Sequence, residues 1–392
     1  MRYIFLIFFI VSSLFLIVNN ANALAYFPPP LKQISNGILP EDVACTEGLV
    51  LVLKSSNNLP SCIKPSSVEE LIQRGWATEI SLSQSIDNSV LDHLHYEDEI
   101  AKKAKEILDY ALAQEQSISE GEYIEGPTDD GYPIVFYDVF GNDIVLSQSP
   151  SLPSSLSYLQ QDTEKHQEIW NIFIKLIPES SRNVNVFYLT TDGEDGIGGG
   201  IERDVDNISM WNLFYDILDV YPDEFIDDKE TIYTTIHEYG HIVTSGTDQI
   251  DVDLQLINLS DDENFDELFQ TKSESCYPNV LVSDGCAKSA SYINLFYQKF
   301  WTDIVAEWDD IQYIEDENEF EDQSDLFYEK YQDQFVSVYS STNVDEDIAE
   351  SWTAFVLNDK PLGVTISEQK IGFFYDFPEL VEIRDHIRKE LI

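Results

Sequence analysis

Positive charge is what this chain has least of. Its 392 residues carry 22 Lys and Arg against 73 Asp and Glu, for a formal net charge of −51 at pH 7. A field of that sign repels phosphate backbones and anionic lipid surfaces, which excludes nucleic acid as a partner and a basic patch as a membrane anchor. Long apolar runs are missing beyond residue 25, so no stable membrane span is expected once the segment before it is removed. Cysteine is scarce, with four, and so is histidine, with six, so that a cluster of either stands out from a thin background. Apolar material is not scarce. Hydrophobic residues make up 43% and aromatics 12%, with 22 Phe and 21 Tyr, which separates the chain from disordered acidic tails; its length allows two domains or one large domain with an added module.

The first residues read as an export signal. Arg2 precedes apolar runs over 3–11 and 14–18, and small residues at Ala21, Ala23 and Ala25 offer cleavage after Ala23 or Ala25. No cysteine sits there, which argues against a lipid anchor. A secreted or cell-surface location is therefore expected, in an oxidising space where the four cysteines pair. Of the three possible connectivities the local one, Cys45 with Cys62 and Cys276 with Cys286, is expected; neither spacing has the C-x-x-C form of a structural zinc site.

Periodicity then sketches the elements. Residues 49–53 form a strand and 68–75 a short helix, closed by Cys45 and Cys62 into a small module. A long helix covers 87–116, where His93 and His95 point to different faces and are expected at the surface. A hairpin follows over 133–139 and 143–146 about Gly141-Asn142. A single helix is expected over 157–176, with His166 structural or exposed, and a strand over 184–190. The acidic, glycine-rich loop 192–200 is either a flexible border to a cleft or a calcium loop, although Gly196 stands where an EF-hand supplies an oxygen. Residues 209–217 make an apolar strand expected at the cleft border, where an extended peptide pairs with its edge. A single aromatic-rich helix is expected over 291–308. The acidic cluster 315–325 reads as a solvated loop, with calcium as the minor alternative. The terminal helix carries Arg384, Arg388 and Lys389 near its C-terminus, where cations are favoured, and His386 there is structural.

One stretch carries chemistry. His237-Glu238-Tyr239-Gly240-His241 is an H-E-x-x-H motif, and Ile232, Ile236, Tyr239 and Val243 recur at helical spacing around it. Asp227 or Asp228 caps the start and Gly246 stops the end. On a helix, His237 and His241 project from one face and can grip one metal ion, with Glu238 beside them to move a proton. Gly240 costs about 1 kcal/mol relative to Ala inside a helix, which implies a close neighbour against that face.

A catalytic zinc site needs a third protein ligand. A metzincin would place Gly at 244 and His at 247, but both positions are Thr, and the one histidine beyond His241 is His386. A carboxylate must complete the set. Asp248 and Asp251 lie too close to the helix end to reach back over both histidines. In the stretch 339–355, capped by Thr342 or Asn343, Ile348, Trp352, Phe355 and Val356 form an apolar side and Glu346 and Glu350 share the opposite one. Two acids one turn apart on so apolar a helix are costly to bury unless paired or bound to metal, and a ligand with its supporting partner would explain both.

H-E-x-x-H on one helix and E-x-x-x-E on a later one resembles the gluzincin zinc metallopeptidases, and Tyr339, Thr342-Asn343, Glu346 and Ala349-Glu350 are similar to the lethal-factor-like branch. The resemblance implies that Glu346 is the third zinc ligand, that Glu350 supports a ligating histidine, and that Tyr339 faces the developing oxyanion. It is specific at these motifs, in the last half of the chain; the thermolysin-like E-x-x-x-D is not matched, because Glu350 stands at its last position. Residues 30–76 resemble a short disulfide-closed module near the start of exported archaeal proteins. The fold expected is α+β: a zincin-like catalytic domain of mixed sheet, active-site helix and mainly helical C-terminal lobe, behind a small N-terminal module. The corresponding organisation is a signal peptide over 1–25, the module over 26–80, a helix and hairpin over 81–150 that are a propeptide, a cover or the start of the catalytic domain, and a metallopeptidase domain over 151–392. The activity implied is that of a secreted zinc endopeptidase acting on a peptide or protein substrate with one catalytic Zn²⁺, with Ca²⁺ as a further candidate ion. The alternative is a catalytically silent, acidic cell-surface binding or structural protein on the same fold.

Overall fold

A computed structural model describes residues 130–193, 198–218, 228–259, 265–314 and 316–392, a helix over 88–119 with its side chains at Tyr96 and over 99–114, and a set of residues between 30 and 78. The expected signal segment, Asp227, the side chains of His93, His95 and Asp228, and the centre of the acidic loop at 194–197 lie outside the described residues. The chain falls into two compact units, one within Ser13–Tyr96 and one over Glu97–Ile392.

In the smaller unit, strand β1 (Val50–Lys54) lies between β2 (Pro60–Ile63) and β3 (Ala77–Thr78) in an antiparallel sheet. Val52, Val43 and Ala77 are buried in its small core. A core this size stabilises little by itself, and a disulfide between Cys45 and Cys62 closes it, with the Gln33 amide giving and receiving hydrogen bonds with the Ala44 backbone.

Helix α1 (Asn88–Ser119) buries Ile100, Ala104, Ile107 and Ala111, which recur at three- and four-residue spacing. Strands β4 (Asp130–Phe140) and β5 (Asp143–Gln148) form a hairpin whose turn residue Gly141 has φ +65°, the left-handed region that glycine enters freely. Helices α2 (Ser157–Gln161) and α3 (Thr163–Leu176) follow, then β6 (Val184–Gly193), β7 (Gly199–Arg203) and β8 (Trp211–Asp216). The five strands make one mixed sheet in the order β5-β4-β6-β8-β7, in which β6 and β8 run parallel and the other pairs antiparallel. The hairpin β4-β5 is thus an integral part of this sheet. Helix α4 (Asp228–Thr244) lies along it, and the Tyr215 hydroxyl of β8 bonds Thr235 of α4 at 2.7 Å.

Beyond α4 the chain turns mainly helical. Strand β9 (Ile250–Val252), helices α5 (Leu254–Asn258) and α6 (Phe265–Cys276), and strands β10 (Leu281–Val282) and β11 (Gly285–Ala287) form a subdomain clipped by Cys276–Cys286, so both local disulfides are present. Helices α7 (Tyr292–Phe300), α8 (Val305–Gln312), α9 (Glu317–Tyr331), α10 (Val344–Leu357), α11 (Ile366–Phe373) and α12 (Pro378–Lys389) complete the lobe. The class is α+β. Helix α10 is its axis: Asp347 to Leu357 are all buried, and Asp347 pairs with Lys370 of α11 at 2.5 Å while accepting the Trp301 indole N–H at 2.7 Å.

Several expected elements are corrected. Strand 209–217 has no free edge for a peptide to pair with: β8 is interior to the sheet, and β7, which begins in the glycine-rich stretch expected as loop, is the end strand. Helix 157–176 breaks at Asp162, whose side chain instead caps α3 by accepting from the Lys165 N–H. Helix 291–308 breaks after Phe300, where Trp301 turns into the core toward Asp347. From residue 316 on, the acidic cluster expected as loop is the start of α9. Asp316 caps α9 through the Glu319 N–H, Phe327 packs against Trp308, and the carboxylates crowd its remaining faces, so that burial and the neighbours Glu329, Asp322 and Glu321 push Asp325 up to about 6. Of the two readings of His166 the structural one holds: it is wholly buried, its Nε2–H donates to the Leu159 carbonyl at 2.8 Å and its Nδ1 accepts from the Tyr137 hydroxyl at 2.7 Å.

Candidate metal centre

The centre forms where α10 crosses α4. A Cβ added to Gly240 would lie 2.8 Å from Trp352 Cδ1 and 3.3 Å from Ala349 Cα, so the close neighbour implied by this glycine is α10 itself. That approach sets Glu346 and Glu350, one turn apart, against His237. The start of α10 is capped by Asn343, which accepts from the Glu346 N–H at 2.9 Å, while Thr342 bonds the Tyr339 carbonyl instead. Glu346 therefore sits in the first turn of α10 with its backbone fixed.

Three donor atoms converge. His237 Nε2 lies 3.1 Å from Glu346 Oε2, His241 Nε2 lies 3.4 Å from the same oxygen, and the two Nε2 atoms are 3.2 Å apart. Ligands of a tetrahedral ion at roughly 2.0–2.1 Å stand about 3.3 Å from one another, so the triangle has the dimensions such an ion requires. Chemistry agrees with size. His237 Nδ1–H donates to Glu350 at 2.7 Å, which in the neutral ring leaves the Nε2 lone pair facing a second imidazole nitrogen and a carboxylate. A shared proton or a cation satisfies that arrangement. Among the described residues, His237, His241 and Glu346 are the group of His, Cys, Asp and Glu able to hold a metal ion.

Charge tells the same story in the metal-free chain. Burial lowers the basicity of both imidazoles, but Glu346 and Glu350 outweigh it at His237, which is raised well above the ordinary range, and Glu346 outweighs it at His241. Burial alone would raise Glu346; His241 and His237 hold it well below the usual carboxylate range. Glu238 is 7% exposed, and burial raises it against the pull of the two histidines, with Glu346 and Glu350 adding to the rise. A carboxylate so placed holds a proton more readily than one in water.

Tyr339 lies at the edge of this group, 5.9 Å from His237 between ring centroids. The residue as a whole is half exposed, but its hydroxyl end is packed in the site: burial, then Glu346, Glu238 and Glu350, raise the phenol well above its usual range, and it hydrogen-bonds Glu346. It remains a protonated donor at neutral pH. Behind His237, the Tyr233 hydroxyl reaches both Glu350 oxygens at 2.8 Å. Tyr233 was not among the residues expected at the site, yet it precedes His237 by four positions and therefore shares its helix face.

The subdomain after α4 braces the centre from the other side. Arg203, stacked 4.0 Å over Trp211, bonds Asp284 at 2.6 Å and the Ser245 carbonyl just past α4. Asp345, next to Glu346, accepts from the Ser283 backbone; burial pushes it up to about 7 against the pull of His241. The turn at Ser283-Asp284 thus ties β7, the end of α4 and the start of α10 together. A scan against protein-family models, a search of the curated proteins and a search of the solved structures each find no match to this chain.

Proposed function

We propose that the chain is a secreted, zinc-dependent endopeptidase of the gluzincin type, similar to the lethal-factor-like branch, with His237, His241 and Glu346 as ligands. The observation that carries the reading is the donor triangle of 3.1, 3.2 and 3.4 Å with Glu238 adjoining it. Two imidazoles and one carboxylate at that spacing suit Zn²⁺ better than Ca²⁺ or Mg²⁺, which favour all-oxygen sites. When bound, the ion supplies positive charge that acidifies a water and polarises an acyl carbonyl.

The chain's own residues do the rest. Glu238 takes the proton of the attacking water and passes it to the leaving amine, helped by burial that raises its proton affinity. Tyr339 donates its hydroxyl hydrogen to the carbonyl oxygen as negative charge develops there. Glu350 accepts the His237 Nδ1–H, which fixes the tautomer and aims Nε2. An extended substrate pairs with β7, since β8 is enclosed by its neighbours. Export is supported by the two disulfides, which suit an oxidising extracytoplasmic environment, and among the described residues no helix is long and apolar enough to cross a membrane.

The test is zinc content and casein hydrolysis by the wild type, Glu238→Gln and Glu346→Ala. Expected are one zinc per wild-type chain with cleavage, zinc without cleavage in Glu238→Gln, and loss of zinc in Glu346→Ala. Full zinc retention by Glu346→Ala refutes the ligand assignment. Zinc bound by the wild type with no protein cleaved puts the silent binding-protein reading first.

A further inference from the structure

The hydrogen-bond chain that aims His237 does not stop at Glu350. Tyr233 donates to both oxygens of that carboxylate at 2.8 Å, and Glu350 in turn accepts the His237 Nδ1–H at 2.7 Å, so the three residues form one line from Tyr233 to the donor triangle. Tyr233 and His237 stand one turn apart on α4, while Glu350 comes from α10. A carboxylate on a χ-rotatable side chain can present either oxygen to an imidazole. A hydroxyl centred on both oxygens holds its plane and removes that freedom.

The far side of this line opens into a cavity of about 210 Å³. Tyr233 and Glu350 stand in its wall, and Leu108, Leu112, Phe335 and Ala354 supply apolar surface from α1, α10 and the segment before α10. Its volume exceeds the roughly 150 Å³ in which an apolar cavity admits benzene, and Glu350, Asn358 and Ser367 add polar groups to its lining, so it has room for a ring that carries a hydroxyl.

We propose that Tyr233 is a positioning residue of the metal centre: it acts through Glu350 to hold His237 in its ligating orientation, and, once its ring is removed, the cavity behind it gives small aromatic hydroxyl compounds access to the same position. This rests on the reading of His237, His241 and Glu346 as a metal site. Tyr233 touches neither metal nor substrate, so its effect is on metal affinity and on the ligand field.

The experiment titrates the full-length, metal-free protein with Co²⁺, following the visible absorption of the bound ion, in the wild type, Tyr233→Phe and Tyr233→Ala. Near-UV circular dichroism checks that each variant is folded. Tyr233→Phe keeps the ring and its packing and loses the hydroxyl. The expected result is a Co²⁺ affinity about tenfold weaker with an altered absorption spectrum, the lower end of what loss of an outer partner of a metal ligand costs. In Tyr233→Ala, added phenol restores affinity and spectrum, whereas toluene, which refills the space without a hydroxyl, does not. Wild-type affinity and spectrum in Tyr233→Phe overturn the inference alone, as does equal rescue by toluene, which would make the role one of packing. A wild type that takes up no Co²⁺ overturns the metal-centre reading and this inference with it.

Discussion

Replacing Gly240 by Ala sets two known effects against each other at the centre of the molecule. Alanine inside a helix is favoured over glycine by about 1 kcal/mol, so at an open position the change would stabilise α4. Here the new methyl would lie 2.8 Å from Trp352 Cδ1 and 3.3 Å from Ala349 Cα. Trp352 cannot swing away, because it is fully buried and packed against Tyr239, Phe355 and Phe374 at ring-centroid distances of 6.2, 5.5 and 5.7 Å. The backbone of α10 must shift instead, at the roughly 1–3 kcal/mol typical of overpacking. The net expectation for the metal-free protein is a change between about zero and a loss of about 2 kcal/mol. The same shift separates Glu346 from His237 and His241, so on the proposed zinc reading Zn²⁺ affinity is expected to fall, by about tenfold if the disturbance matches loss of an outer support. Gly372 in α11 is the control: a Cβ there meets nothing within 4 Å, and Gly372→Ala is expected to gain about 0.5–1 kcal/mol with metal affinity unchanged. Urea denaturation with zinc competition against a chromogenic chelator measures both quantities. If Gly240→Ala gains as much stability as Gly372→Ala and binds zinc like the wild type, the account of α10 seated on Gly240 is wrong.

Other outcomes are checked on the same protein. Lys370→Met leaves Asp347 buried without its cation and should cost about 3–5 kcal/mol in urea denaturation; adding Asp347→Asn, which keeps an acceptor for Trp301, should recover most of that loss. His166 is held neutral, burial lowering it despite the Leu159 carbonyl and Asp162, so its contribution to stability is complete above pH 6.5 and is lost as pH falls from there toward its lowered folded value; a His166→Gln variant should show a shallower fall in stability between pH 7.5 and 5 than the wild type. Replacing Cys276 and Cys286 together by Ser should cost about 2–3 kcal/mol by loop entropy and also weaken zinc binding, because the turn they clip braces Asp345 and Arg203; the same change at Cys45 and Cys62 should leave zinc affinity intact, as isothermal titration would show.

What the sequence revealed and what it hid divide along the distance over which a pattern is written. The two histidines are four apart on one helix, and Glu346 and Glu350 are four apart on another, so each pair was legible from helical geometry alone. The α+β class was legible for the same reason, since helix and strand periods are local. Strand order was not. β7 reads as loop because it opens with Gly199-Gly200, yet those glycines are there for packing: a Cβ at Gly200 would fall 2.4 Å from the Phe214 ring of the neighbouring strand. Only the pairing partner explains them. The acid-rich stretch 315–325 misled in the opposite way, because charge density hid the aromatic spacing of Phe320, Phe327 and Tyr331 that builds α9.

Tyr233 shows where the two scales meet. Its spacing from His237 was plain in the sequence, but its bond to Glu350 spans 117 residues and depends on how closely α10 approaches α4. That approach is set at Gly240, three residues beyond His237, where the lack of a side chain lets Ala349 and Trp352 come in. A glycine that weakens its own helix thereby fixes the register of a second one. The register decides which carboxylate of α10 meets Nε2 of His237 and which meets Nδ1: Glu346 takes the first and Glu350 the second, at 3.1 and 2.7 Å. A slip of one turn along α10 would exchange or lose these roles while leaving both motifs intact. The motifs therefore supply the donors, and the contact at Gly240 makes them a centre.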